Sequence, residues 1–391
     1  MTEILISQLQ LGKYYSQPVY LDDKYILLSP ETPVTDDLIT RLKNWKIDYV
    51  YSDGHPMDTA EETTGSAETE DIDIETVIEE GTPIGTSVEA LSESQKHFLD
   101  SLNFLEKTFA NYIKANTLSQ IDITEHVKKI IDRVNSKRHY MLRITEFNSD
   151  SHNYIVVHSV KATILAVAIG ATMRMPAYRL IELATAALMH EIGMIKLPTQ
   201  IYMSNKMLNP IEKKAIMAHT VLGYKILKQN SFPMSVSLGV LECRENMDGS
   251  GYPRGLSSNK ISSYGKIINV ASTYAALTSK RPFRGAFNGH SSIIDMLKRK
   301  DTMYDGNIIR VLIIILSLFP LGTFVLLKNG AKGMVVETNQ GNYKAPKVRI
   351  LINPEGGLEK ETKVVDTEAT LYEIVRPLSN EEISKVKQLI G

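Results

Sequence analysis

The fold is decided by one stretch near the middle of the chain, Cys243-Arg244-Glu245-Asn246-Met247-Asp248-Gly249-Ser250-Gly251-Tyr252-Pro253-Arg254-Gly255-Leu256. Its second half, from Asp248 to Leu256, contains three glycines and one proline, a composition typical of a loop whose backbone can lie close to a ligand. Its first half sets a thiol beside a guanidinium, at Cys243 and Arg244. The stretch therefore predicts a binding loop that directly follows two unusual polar side chains.

Three histidines precede this stretch, and each lies on a different predicted helix. They are His158, His190 and His219, and Glu191 adjoins the second of them. A single histidine on a helix is usually structural, but three from consecutive helices plus a carboxylate can converge as metal ligands in a bundle. Cys243 is the only cysteine, which excludes a disulfide framework and any site built from several thiolates. A metal site in this chain has to be built from histidines and carboxylates.

Helix start and stop signals indicate that residues 151–319 are all-helical. Asn209-Pro210-Ile211-Glu212 supplies an N-cap, a first-turn proline and an acid three residues on, which predicts the start of a helix that carries His219. Gly170 predicts the end of the helix that carries His158, and Pro176 predicts the start of the next helix. Strand signals are scarce in this region.

The remainder of the chain divides by composition and hydrophobic periodicity. Alternating apolar residues around a helix from Thr35 to Trp45 predict a small α/β module, and two amphipathic patterns predict a helical connector. We predict a mainly α protein with these parts: an N-terminal α/β module, 1–55; an acidic flexible linker, 56–92; a helical connector, 93–150; a helical domain, 151–319; a β extension with a C-terminal helix, 320–391.

The charge distribution is uneven although the net charge of the chain is −1. The stretch from Asp58 to Glu93 holds twelve acidic side chains and no lysine or arginine, so the rest of the chain carries +11. A basic body is compatible with an anionic ligand, and equally with ordinary solvated surface charge.

The N-terminus lacks a secretion signal, and we expect a cytoplasmic protein that binds neither membrane nor DNA. The longest apolar run that we identify, Val311 to Phe319, is shorter than the roughly 18 residues that a membrane span requires. It predicts a buried helix.

A set of ordered motifs between about residues 150 and 355 resembles the HD-GYP family, whose members hydrolyse cyclic dinucleotides. The loop from Asp248 to Leu256 matches the family's GYP loop nearly letter for letter. The other matching segments follow one another in the family's order and spacing: His158-Ser159-Val160, Ala187 to Pro198, Leu208 to Glu212, His219 with Gly223, and Ile267 to Phe283.

The resemblance implies an HD-domain helical bundle that holds two or three metal ions, usually iron or manganese. In the family these ions bind phosphate and activate a water molecule for attack on phosphorus. His158, His190 and His219 match ligand positions. Tyr154 occupies a position where some members have a glutamate ligand for a third metal and others do not.

Five departures from the family pattern affect the implied site. Glu191 replaces a bridging aspartate, and Met194 replaces a lysine expected to contact the reacting phosphate. The other three departures are Cys243-Arg244 in place of two histidines, Ser272 in place of a metal-binding aspartate, and Ala275 in place of a second nearby aspartate.

Arg244 changes the chemistry most, because a guanidinium has no available lone pair, stays charged and repels cations. It can bind phosphate through its fork of N–H groups without a metal. Alternatively, it pairs with Glu245, Glu191 or Glu242 in a relict pocket. The candidate ligand-binding residues are Arg244, Asp248, Tyr252 and Arg281.

Three functional hypotheses remain. The first is a degenerate HD-GYP protein that binds cyclic di-GMP, or docks a signalling protein at the GYP loop, with little or no hydrolysis. The second is an active phosphodiesterase with one iron or manganese ion, at reduced occupancy, held by His158, His190, Glu191 and His219. The third is a purely structural interaction module without metal. A homodimer is compatible with all three.

Overall fold

The computed structural model describes most of the chain and leaves several segments out. The described residues are 2–17, 19–20, 26–28, 33–44, 47–58, 88–144, 152–202, 209–279, 287–339, 341–359, 361 and 363–390. Statements below refer to these residues. The architecture is mainly α, with small N-terminal strands and a C-terminal β sheet.

The N-terminal module contains a four-stranded sheet in the order β1-β5-β3-β4, a helix and a separate two-stranded ribbon. Its apolar core continues into the helical domain through Val221, Tyr224 and Leu241. The elements are β1 (Thr2–Leu5), β2 (Tyr14–Tyr15), β3 (Val19–Tyr20), β4 (Ile26–Leu28), α1 (Asp36–Asn44), β5 (Tyr49–Ser52) and β6 (Pro56–Met57).

The predicted linker, 56–92, has regular structure at both ends. Pro56–Met57 pairs with Tyr14–Tyr15, and α2 begins at Val88. Residues 59–87 lie outside the described part of the chain. The ends of the segment were therefore wrongly predicted as flexible, because a short ribbon pairing and a helix start carry weak sequence signals.

Two long helices, α2 (Val88–Ala115) and α3 (Gln120–Ile144), form the connector hairpin. Both predicted apolar stripes are confirmed as buried. The stripe residues are Phe98, Leu102, Leu105 and Phe109 on α2, and Ile123, Val127, Ile130, Ile131 and Val134 on α3.

The helical domain is built around α4 (Tyr154–Thr172), which is buried along nearly its whole length. The other elements are α5 (Ala177–Met189), a 3-10 helix (Ile192–Lys196), α6 (Thr199–Tyr202), α7 (Pro210–Met217), α8 (His219–Gln229), α9 (Met234–Glu242), α10 (Ser263–Thr278), α11 (Gly289–Lys298) and α12 (Gly306–Leu316).

Helix α4 corrects two sequence-based expectations. By length and composition it could cross a membrane, which the sequence analysis overlooked, but 94% of its apolar window is buried inside the protein. Gly170 does not end this helix, which continues to Thr172. A Cβ at Gly170 would lie 2.8 Å from Leu183 and 2.9 Å from Leu180, so the glycine permits close packing of α4 on α5.

The predicted capping box at Asn209 and Glu212 is confirmed, but the helix it starts does not carry His219. Helix α7 ends at Met217, and His219 is the first residue of α8. Ala218 separates the two helices, with backbone angles of φ −65° and ψ −18°.

The C-terminal region is a five-stranded antiparallel sheet in the order β10-β9-β8-β7-β11, with a helix after it. The pair Asn329-Gly330, a sequence typical of tight hairpin turns, lies between the first two strands, with Gly330 at φ +88°. The elements are β7 (Phe324–Leu327), β8 (Lys332–Glu337), β9 (Lys347–Ile352), β10 (Val364–Asp366), β11 (Ile374–Pro377) and α13 (Asn380–Ile390).

Candidate metal and phosphate site

Three elements of the bundle bring the histidines together around one carboxylate. The Nε2 atoms of His158 and His190 lie 3.3 Å apart. Oε1 of Glu191 lies 3.6 Å from the first of these atoms and 3.3 Å from the second. His219 Nε2 lies 3.8 Å from Oε2 of the same carboxylate. All four side chains are buried. The candidate ligand atoms of His158, His190 and Glu191 all lie within 4.8 Å of one another, and His219 adjoins this group through the Glu191 carboxylate.

A close backbone approach fixes this arrangement. Gly193, two residues after Glu191, lies against the first turn of α8, and a Cβ there would be 1.9 Å from the carbonyl oxygen of His219. Gly223 faces it from the next turn, and a Cβ on that glycine would lie 3.6 Å from the Gly193 nitrogen. These two glycines let the 3-10 helix and α8 approach closely enough for Glu191 and His219 to face each other.

Backbone carbonyl groups orient two of the imidazoles. His190 Nδ1 lies 2.7 Å from the Ala187 oxygen, and His219 Nδ1 lies 2.7 Å from the Ile216 oxygen. A carbonyl can only accept, so each Nδ1 carries the hydrogen and each neutral ring keeps its lone pair on Nε2. Such a second hydrogen bond is typical of histidines that bind metals.

The electrostatics favour a carboxylate beside a neutral His219 imidazole. Burial alone raises the pKa of Glu191, but His219, His190 and Arg244 together hold it well below its usual range. Burial lowers the pKa of His219 to about 4, against the opposing effect of Glu191. Both groups are thus in the state that can coordinate a cation at neutral pH.

Arg244 closes the other side of the cluster. Its Nη2 donates to Oε1 of Glu191 at 2.6 Å, and its Nη1 donates to the hydroxyl of Ser272 at 3.0 Å. Ser272 in turn donates to the Asn269 carbonyl oxygen at 3.3 Å. Of the three glutamates considered as partners from the sequence, Arg244 pairs with Glu191.

The residues fit one metal ion and do not fit two. His219 Nε2 and Glu191 Oε2 are buried and make no hydrogen bond with the described residues, which leaves lone pairs for a cation beside the cluster of His158, His190 and Glu191. Oε1 of Glu191, the oxygen that faces His158 and His190, already accepts from the Arg244 guanidinium. A guanidinium repels a cation 4 Å away by about 4 kcal/mol per unit charge near a protein surface.

The remaining replaced positions offer no ligand for a second ion. Cys243 donates to the Val240 carbonyl oxygen at 3.2 Å, and burial raises the pKa of its thiol to about 12, so it stays protonated. Met194 and Ala275 are buried apolar side chains. Ser272 is a neutral hydroxyl already held between Arg244 and Asn269.

Two buried glutamates shape the loop that follows Arg244. Glu245 accepts from the N–H groups of Arg254 at 2.7 Å and Leu256 at 2.9 Å. Glu242 accepts from Arg254 Nη1 at 3.2 Å and from the Ser262 N–H at 2.7 Å. From the sequence, Glu242 and Glu245 were predicted only as partners of Arg244. Their position just before a glycine-rich loop was the signal for this anchoring role.

The predicted ligand-binding residues fall in different places. The Tyr252 ring meets His219 edge-on, with 6.2 Å between ring centroids, and its N–H donates to the Arg244 carbonyl oxygen at 3.0 Å. Asp248 is exposed, and its carboxylate accepts from the Ser250 N–H at 2.9 Å within the loop's own turn. Arg281 lies outside the described residues.

Tyr154 stacks on His158, with ring centroids 5.9 Å apart. An aromatic ring therefore borders the cluster at the position where some HD-GYP proteins are expected to have a glutamate. This face of the cluster is apolar and offers no carboxylate from that residue.

Comparisons with known proteins match two parts of the chain. The HD domain family matches residues 129–308, and a KOW domain associated with the HD domain matches residues 324–386.

Two similar curated proteins are cyclic di-GMP phosphodiesterases. One, PdeB from Borreliella burgdorferi, is 31% identical over 61% of this chain and 63% of its own length. The other, from Pseudomonas aeruginosa, is 24% identical over 71% of this chain and 68% of its own length. The chain thus spans slightly less than two thirds of the Borreliella protein. A solved HDG"Y"P protein from Bdellovibrio bacteriovorus is 15% identical, with a TM-score of 0.49 over 80% of this chain and 97% of its own.

Proposed function

The chain belongs to the HD-GYP family, and on that premise we propose that it binds cyclic di-GMP at the Arg244 side of the histidine cluster, with little or no hydrolysis. One observation carries this proposal. The Arg244 guanidinium lies 2.6 Å from the Glu191 carboxylate, on the side where the family pattern has histidine and aspartate ligands. A fixed cation there can take over phosphate binding from a metal ion.

Arg244 retains the means to bind a phosphodiester. Two of its five N–H groups are used by Glu191 and Ser272. Its side chain is 19% exposed, in contrast with the 4% of Glu191, so part of this side chain is open to solvent. Tyr252 stands beside His219 and offers an aromatic wall to a base.

A low hydrolysis rate follows from the loss of the second metal position. In the family mechanism, metal ions activate the attacking water and neutralise the charge that builds on the phosphoryl oxygens. Met194 supplies no charge where a lysine is expected, and Cys243 stays a protonated thiol. Arg244 can still neutralise phosphate charge, but it cannot activate water.

A second candidate function is metal-dependent hydrolysis with a single ion. The arrangement of His158, His190, Glu191 and His219, with unused lone pairs on His219 and Glu191, favours it. These four residues would hold an iron or manganese ion. A bound ion of this kind would lower the pKa of a coordinated water and polarise the phosphate.

Docking of a signalling protein at the GYP loop is a further part of the proposal. The loop from Asp248 to Leu256 is anchored from beneath by Glu245, while Asp248, Ser250 and Gly255 are exposed. A firmly held backbone with an exposed tip can present a fixed shape to a partner.

Metal analysis of the purified chain, paired with a cyclic di-GMP hydrolysis assay in added Mn²⁺ or Fe²⁺, separates the two candidate functions. The proposal expects at most one ion per chain and turnover at background level. Turnover above background would reject it in favour of the one-metal enzyme.

Binding is tested separately by titrating chelator-treated protein with cyclic di-GMP. Arg244→Ala should weaken binding by about a hundredfold, because charge-assisted bonds to a partly buried phosphate contribute about 2–5 kcal/mol. Lys214→Ala, which removes an exposed charge from α7, serves as the matched control and should bind as the natural chain does. Equal affinity of Arg244→Ala and Lys214→Ala for cyclic di-GMP would show that Arg244 is not part of the ligand site.

A further inference from the structure

A cleft outside the histidine cluster lies between α2 and α3. Its volume is about 590 Å³, within the roughly 300–1,000 Å³ typical of small-molecule sites. Its walls come from the facing sides of the connector hairpin, including Phe104, His126 and Met141. None of these residues belongs to the motifs that resemble the HD-GYP family.

The floor of the cleft contains two aromatic side chains that stack on each other. The Phe104 ring and the His126 imidazole stack almost parallel, with centroids 4.0 Å apart and 4° between their planes. His126 Nε2 lies 3.1 Å from the Ser101 hydroxyl, which holds the imidazole in place. Burial lowers the pKa of His126 to about 4, so this ring is neutral at physiological pH. Because the two rings cover each other's inner faces, the outer face of this uncharged pair is the part that can stack on an aromatic ring of a ligand.

The rim of the cleft is positively charged. Lys107, Lys129 and Arg133 line it, against a single lining carboxylate, Asp100. Arg133 is held in place by Glu93 at 3.1 Å and by His97. The two lysines are exposed, and their ammonium groups can reach an anion at the mouth of the cleft.

We propose that this cleft is a second ligand site, which takes a nucleoside monophosphate with its base on the Phe104–His126 floor and its phosphate at the lysine rim. The size of the cleft suits one nucleotide rather than a cyclic dinucleotide with two bases. The site does not depend on the proposed function of the histidine cluster.

The test is calorimetric titration of the full chain with adenosine 5′-monophosphate, adenosine and inorganic phosphate. The nucleotide should bind at least about tenfold more tightly than either fragment, since each 1.4 kcal/mol is a factor of ten and only the nucleotide engages both floor and rim. Absence of nucleotide binding, or equal binding of inorganic phosphate, would overturn the proposal.

Neighbouring lysines on α3 provide a matched pair of variants. Lys129→Gln combined with Lys107→Gln should weaken binding of the nucleotide about thirtyfold, since the double variant removes two of the three cations that line the rim. Lys128→Gln should not change it, because Lys128 pairs with Glu125 outside the cleft lining. An equal loss of nucleotide affinity in the double variant and in Lys128→Gln would refute the assignment of the lysine rim as the phosphate site.

The location is checked by the imidazole resonances in an NMR titration. Adenosine 5′-monophosphate should shift the ring signals of His97 and His126 and leave those of His190 and His219 in place. The opposite pattern would assign the nucleotide to the histidine cluster and overturn the proposal.

Discussion

The two sides of the candidate site differ in what they can bind. On one side, His158, His190 and His219 direct nitrogen lone pairs at Glu191, as a metal site requires. On the other side, Arg244 donates to the same carboxylate and to the hydroxyl of Ser272. One side therefore suits a cation, and the other suits an anion. A protein can thus keep its fold while one half of its site changes from binding a cation to binding an anion.

The largest expected effect comes from replacing the Arg244 side with metal ligands, so that it resembles the histidine side. In the triple variant Cys243→His, Arg244→His and Ser272→Asp, we expect two metal ions per chain. Cyclic di-GMP hydrolysis should rise by at least about 10³-fold, because metal ions stabilise the transition state by several kcal/mol. Metal analysis and product chromatography measure the two quantities.

Cys243→His alone is the control for this experiment. It retains Arg244 beside Glu191 and should gain neither metal nor activity. A triple variant with no more metal than the natural chain would contradict the assignment of these positions.

The next effect concerns the backbone on the histidine side. Gly193→Ala should destabilise the fold by about 4 kcal/mol, since the new Cβ would lie 1.9 Å from the His219 oxygen and a main-chain shift is needed to relieve it. Gly341→Ala is the matched control, because the nearest atom to a Cβ there would be Asn339 Oδ1 at 3.6 Å, an ordinary contact. Urea unfolding of both variants checks this prediction, which fails if their midpoints fall equally.

Breaking the ion pair that joins the two sides should have a somewhat smaller effect. Arg244→Ala leaves the buried Glu191 carboxylate without its guanidinium and should cost about 3 kcal/mol of unfolding free energy. Adding Glu191→Gln removes the uncompensated charge and should restore part of that loss. Strictly additive losses in the double-mutant cycle would show that the two residues are not coupled.

The smallest effect concerns the loop anchor and depends on pH. Burial raises the pKa of Glu245 to about 7, although the N–H groups of Arg254 and Leu256 lower it. The native state thus holds the Glu245 carboxyl proton more tightly than the unfolded chain does. The stability that protonated Glu245 contributes is therefore full below pH ~4.5 and is lost as pH rises through about 7. Between pH 5 and 8 the natural chain should lose about 2 kcal/mol relative to Glu245→Gln.

Unfolding at several pH values measures this difference, and the exposed Glu355→Gln should follow the natural chain. A parallel pH dependence in the natural chain and Glu245→Gln would contradict the assigned anchor.

The parts of this molecule that are encoded locally were predictable from the sequence. The capping box at Asn209 and Glu212 and the turn at Asn329-Gly330 depend on residues within a few positions of each other. Gly170 misled the prediction, because the same residue that ends helices also allows two helices to pack closely, and only the neighbouring helix decides between these roles.

The partner of Arg244 was not predictable from sequence distance. Glu242 and Glu245 are two residues away and one residue away along the chain, yet both point into the following loop, while Glu191 is reached from another part of the bundle. The histidine cluster was easier to predict, because three histidines at the spacing of the HD-GYP motifs together indicate a single site. The pairing of Arg244 depends on how α5 and α9 pack, which no local pattern encodes.

The most direct test of the account is a calorimetric titration of chelator-treated protein with cyclic di-GMP, repeated after Mn²⁺ is added. If Arg244 has replaced a metal ion in phosphate binding, the nucleotide binds with the same affinity in both titrations and is recovered intact. Binding that requires Mn²⁺, followed by release of a linear product, would contradict the account.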